Sequence, residues 1–135
     1  MIKKILIIGL SLIVFSCTNK TISEINTLKF ETYSSVVRKI PEIGERISNL
    51  VKNDYNTING IMVESNPAMS PVIDNFLYSF FGENENGEQV YIIIDISNNN
   101  ILIGYYNAIN NKVKVYEEKE GLTIFEDFNR WVNGE

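Results

Sequence analysis

Apolar and polar residues alternate along the chain from Gln89 to Tyr116. Val90, Ile92, Ile94 and Ile96 fall on one parity and Tyr91, Ile93 and Asp95 on the other, the period-two pattern of a strand whose two faces differ. Asn98-Asn99 suits a two-residue turn, because asparagine tolerates positive φ. Pairing Ser97 with Asn100 then sets Ile96 opposite Ile101, Ile94 opposite Ile103 and Ile92 opposite Tyr105. Every apolar partner falls on one face, and a one-residue slip would break the match. A second turn around Ala108 to Asn111 leads into Lys112-Val113-Lys114-Val115-Tyr116, whose valines are expected to join that same face.

Elsewhere the period is that of helices. Ile22, Ile25, Leu28, Val36, Val37 and Ile40 recur at helical spacing with Tyr33 on their stripe, behind a capping-box pair Thr21 and Glu24. Pro41 interrupts this stripe, having no N–H to donate, and Ile43, Ile47, Leu50 and Val51 continue beyond it. These stretches predict helices over 22–39 and 42–54. Thr57 to Glu64 reads as a strand weakened at Gly60. Ser70 and Pro71 suit the N-cap and first position of a short helix reaching about Phe80, and Gly82 to Gly87 forms a polar turn. Thr123 and Glu126 make another capping-box pair, opening a last helix with Phe125, Phe128, Trp131 and Val132 inward. The order α-α-β-α-β-β-β-α predicts an α+β fold. It has an antiparallel sheet of about four strands, an N-terminal helix pair, a short central helix and a C-terminal helix, in one domain over 21–135.

The first residues follow a different logic. Lys3 and Lys4 precede an apolar run from Ile5 to Phe15, interrupted only by Gly9 and Ser11, and Ser16 and Cys17 close it. Such a run has the length of a signal-peptide core and falls short of the ~20 residues of a spanning helix. Val14-Phe15-Ser16-Cys17 resembles the lipobox of bacterial lipoproteins, although Phe15 stands where that family usually has a small residue. The resemblance covers about the first 17 residues. It implies removal of residues 1–16, lipidation of Cys17 and anchorage to a membrane through the attached chains, with 17–20 as a short tether. Each buried methylene contributes ~0.8 kcal/mol, so two or three chains hold durably where one does not. Thr18 is not the aspartate that signals inner-membrane retention in many Gram-negative lipoproteins, so the resemblance implies an outer-membrane location.

Maturation would also change the charge. Lys3 and Lys4 leave with the signal, so ten of the 12 basic residues remain against 17 acidic ones, a net of −7. An acidic surface repels phosphate backbones, which argues against nucleic-acid partners, and steers basic ones inward. The chain has no histidine and its one cysteine is the lipidation candidate. That excludes Ser-His-Asp and Cys-His nucleophiles and leaves no ordinary zinc ligand set. Glu83, Glu85 and Glu88 crowd one loop, but their spacing is not that of a calcium-binding loop and a solvated turn explains them. No catalytic residue, metal or cofactor is expected, and an enzyme working through carboxylates is the lesser reading.

The remaining candidate is a mixed face of the sheet carrying Tyr91, Asp95, Tyr106, Lys114 and Tyr116. Tyrosine offers large contact area at low entropic cost, which suits protein interfaces. The same face could instead lie beneath the N-terminal helices. In size, charge and lack of catalytic residues the chain resembles small acidic lipoproteins that neutralise toxins or hydrolases, and by that analogy a protein-binding module in the envelope is expected. The alternative is a structural or assembly accessory of an envelope complex.

Overall fold

The computed structural model describes residues 4–8 and 22–135. It is an α+β arrangement. Five antiparallel strands, β2 (Ser70–Ile73), β3 (Leu77–Glu83), β4 (Gln89–Asp95), β5 (Asn100–Asn107) and β6 (Lys112–Glu117), lie in the order β6-β5-β4-β3-β2. A further strand, β1 (Lys4–Ile8), runs parallel along the outer edge of β6. Cys17 and the capping residue Thr21 lie outside the described residues.

The central hairpin follows the predicted parity but not the predicted pairs. Ile94 faces Ile101, Ile92 faces Ile103 and Val90 faces Tyr105, with Asp95 opposite Asn100. The ladder is displaced by two residues, which keeps every side chain on its face. Asp95 causes the displacement. Its carboxylate accepts hydrogen bonds from the Asn98 backbone N–H at 3.1 Å, the Asn98 amide at 2.8 Å and the Ser97 hydroxyl at 3.0 Å. These bonds stabilise a turn longer than two residues, with Asn99 at φ 49°.

At β6 the predicted facing is reversed. Leu102 pairs Glu117, Gly104 pairs Val115 and Tyr106 pairs Val113, so the valines share the face of Tyr91 and Tyr106. Lys114 and Tyr116 share the face of the isoleucines. Both faces are buried, so hydrophobicity alone did not specify this register.

Two other elements exchange type. Residues Tyr55–Ser65 form a helix, not a strand, because Ile58, Ile61 and Met62 bury one 3.6-period face. Asn66 ends it in the left-handed conformation at φ 42°. Residues 71–80, expected as a helix, supply β2 and part of β3. Pro71 is tolerated there because β2 is an edge strand.

The helical layer begins with a 3-10 turn at Glu24–Leu28 and continues as α1 (Tyr33–Lys39), α2 (Pro41–Val51), a 3-10 turn at Lys52–Asp54 and α3 (Tyr55–Ser65). The expected helix over 22–39 is therefore broken. Phe30 adopts φ 67°, and the Thr32 side chain caps a fresh start by accepting from Ser35 N–H at 3.4 Å. Pro41 occupies the first turn of α2.

Two cores result, one on each sheet face. The larger joins Ile25, Val36, Ile43, Ile47, Ile58 and Met62 to Tyr78, Phe80, Ile92, Ile94, Ile101, Ile103 and Tyr116. At Gly82 helix α3 comes so close that a Cβ would fall 2.5 Å from Ser65 Oγ. The smaller core lies under α4 (Glu126–Asn133), where Phe128 and Val132 meet Leu77, Ile93, Leu102, Val113 and Val115. Among the described residues no helix is long and apolar enough to cross a membrane.

Candidate binding surfaces

The five residues of the predicted mixed face divide between the two cores. Tyr116 is fully buried in the helical core, where its hydroxyl donates to Asp54 Oδ2. Lys114, on the same face, pairs with the same carboxylate oxygen at 3.0 Å. Burial is the chief force holding the Tyr116 hydroxyl far above the usual phenol range, with the Asp54 hydrogen bond and negative charge adding to it. Tyr105 is raised likewise, by burial first and then by its 2.5 Å hydrogen bond to Glu88 Oε2. Asp54 thus ties the helical layer to β6, whereas the Tyr105–Glu88 bond lies within the sheet.

Asp95 is buried and structural. Besides the turn bonds it accepts from Thr123 Oγ1 at 2.8 Å, and Thr123 accepts from Asn100 Nδ2 at 2.9 Å. Burial raises its carboxyl pKa, but the bonds from Asn98, Thr123 and Ser97 outweigh this and hold it below the usual carboxylate range. Thr123 therefore serves the turn and not helix α4, which starts from Phe125 without a side-chain cap.

Tyr91 lies under α4, the C-terminal helix and not the N-terminal pair. Its ring meets Phe81, Phe125, Phe128 and Trp131 edge-on, with centroids 5.2 to 5.8 Å apart. Such packing places it with the smaller core. Burial, then the Asp127 charge, raises its phenol pKa.

Of the five, Tyr106 lines an open groove able to receive a partner. With Gln89, Asn111, Val113, Trp131 and Glu135 it lines an open groove of about 450 Å3 between the end of α4 and the sheet. The Tyr106 hydroxyl donates to Asn111 Oδ1 at 3.0 Å, and the Trp131 indole N–H donates to Gln89 Oε1 at 2.7 Å. These bonds fix both rings while leaving each half-buried. Two aromatic rings line it among the polar side chains of Gln89, Asn111 and Asn133, and Glu135 adds negative charge.

The acidic loop holds itself together. Asn84 Oδ1 accepts from the backbone N–H groups of Asn86 and Glu88, each at 3.0 Å, and the Asn84 amide donates to Glu88 at 2.9 Å. Gly87 supplies φ 79°. Among the described residues no three acidic, histidine or cysteine side chains gather to hold a metal.

A second surface was not legible in the sequence. The β2–β3 turn, the β4–β5 turn and the loop after β6 all lie at one end of the sheet, joined by Ile96 N–H to Phe76 O at 2.7 Å and Asn98 Nδ2 to Leu122 O at 3.3 Å. Phe30, Ile73, Phe76, Leu122 and Ile124 are exposed there. Reading 71–80 as a helix hid the turn, although Asp74-Asn75 is a turn-forming pair and Asn75 takes φ 67°. The chain matches no family model, no curated protein and no solved structure.

Proposed function

We propose that this chain is a lipid-anchored protein of the bacterial envelope that holds a basic protein partner as an immunity or inhibitor protein does. The apolar run ending in Val14-Phe15-Ser16-Cys17 supports the anchor, and the net of −7 after removal of residues 1–16 supports the sign of the partner. The observation that carries the binding role is the groove beside Tyr106 and Trp131, because half-buried tyrosine and tryptophan in a fixed geometry are the residue types that anchor interfaces. Cleavage before Cys17 would also remove β1 and leave β6 as an edge strand. Lys112 and Lys114 on that strand guard it against pairing with other chains.

The test uses the mature lipidated protein as bait in mild detergent, beside a Tyr106→Ala form. One stoichiometric basic protein, retained by the parent and lost by the variant, supports the reading. Recovery of a multi-protein membrane assembly, unaffected by Tyr106→Ala, would replace it with the role of an accessory lipoprotein.

A further inference from the structure

The exposed apolar side chains on the segments that meet at the β2–β3 turn end are large. Phe30 is 69% exposed, Ile73 54%, Phe76 52%, Leu122 48% and Ile124 82%. Phe30 is also held in the left-handed region at φ 67°, which a bulky residue adopts only when its surroundings impose it. Its N–H donates to Met69 O at 3.1 Å, and the neighbouring Lys29 pairs with Asp74 in the β2–β3 turn at 3.1 Å. The backbone is thus pinned with an aromatic ring in solvent, a costly arrangement without a partner for the ring.

The domain begins at this same end. Asn26 Oδ1 accepts from Tyr78 Oη at 2.5 Å, and Tyr78 Oη accepts in turn from Asn75 N–H at 3.3 Å. Only four residues separate Cys17 from Ile22, and a fully extended chain over that interval reaches about 18 Å. On the lipoprotein reading above, that reach keeps this end at the membrane. We propose that it rests in the bilayer interface, with Phe30, Ile73, Phe76, Leu122 and Ile124 entering the boundary between headgroups and acyl chains. Charge is mixed at this end, where Lys29 pairs with Asp74 and Lys119 lies between Glu118 and Glu120, so the exposed apolar side chains and the short tether carry the seating.

The experiment expresses the full chain in bacteria and purifies the matured protein, with Phe76→Cys, Ile124→Cys or Ile109→Cys introduced singly. A lipidated Cys17 has no free thiol, so the new cysteine alone takes an environment-sensitive fluorophore. Leu122→Cys serves if a variant loses its parent melting temperature. In vesicles of phosphatidylethanolamine and phosphatidylglycerol, lipids with a nitroxide near the headgroup should quench labels at 76 and 124 roughly twofold or more. The label at 109, in the β5–β6 turn at the far end, should stay bright. Equal brightness at all three positions, with Cys17 lipid confirmed by mass, would overturn the interfacial seating and leave the anchor intact. An unmodified Cys17 would overturn the anchor, and the seating with it. Labels unquenched in vesicles but shielded from a bulky maleimide in cells would show that a protein covers this end, which also overturns the proposal.

Discussion

Trp131 lies across Gly104, so closely that a Cβ at position 104 would fall 2.3 Å from the indole Cζ3. The glycine is the floor on which α4 seats its largest side chain. Gly104→Ala must therefore shift the indole or the helix. Such overpacking costs about 2 kcal/mol, a fall in melting temperature of roughly 8 °C for a domain of this size. Thermal unfolding measures the loss, and Trp131 emission should move to the red as the ring becomes wetter.

Asp95 ties a turn to a distant loop through Ser97, Asn98 and Thr123. Asp95→Ala removes the acceptor of half-buried Asn98 and Thr123 and of exposed Ser97, and should cost about 2 kcal/mol. Because its folded pKa is depressed, its contribution is present above the unfolded value of about 4 and is lost as pH falls through the folded value. Acid unfolding of Asp95→Asn should accordingly show a shallower loss of stability below pH ~4 than the parent. Equal slopes would count against this assignment.

Tyr33, Tyr105 and Tyr116 all have raised phenol pKa values, with burial the first cause in each. A raised folded pKa gives stability that is complete below the unfolded value and lost as pH climbs towards the folded one. Melting temperature should then change little between pH 7 and 9 and fall above about 10. Phenolate absorbance should rise with unfolding as a cooperative step, and a gradual titration of all seven tyrosines in the native protein would contradict it.

Tyr91 and Tyr106 should separate cleanly. Tyr91→Ala removes a ring packed among four aromatic neighbours and should cost about 3 kcal/mol. Tyr106→Ala, at the groove, should cost less than about 1.5 kcal/mol and act on partner binding instead. Denaturant melts of the two variants decide the first half of this contrast and titration with the captured partner the second.

Replacement of Cys17 by Ser should release the protein from membranes if lipid chains hold it there. Fractionation after high-salt washing tests this, and a variant that still sediments with membranes would exclude lipid as the anchor.

The sequence carried the alternation of β4 and β5 because each parity of those strands fills its own core. It did not carry the register of β6, where Val113 and Val115 suit either buried face and only the spacing of the Ala108–Asn111 turn decides. Ile58, Ile61 and Met62 lie in a run of β-branched residues, and packing against Gly82 made that run a helix. Pro71 suits both a helix start and an edge strand, so the apolar end of the sheet stayed hidden behind the wrong element. Tyr106 was found as a candidate, but Trp131 and Glu135 could not be placed beside it. Their proximity depends on how α4 crosses the sheet, which no local pattern encodes.

Strand β5 runs from Asn100, at the apolar turn end, to Asn107 near the groove. Its eight residues span about 27 Å. Such a strand is a ruler. If the turn end rests on lipid, the height at which Tyr106 and Trp131 meet a partner is set by the pleat of a hydrogen-bonded sheet, and lengthening the tether would loosen the seat without changing the measure.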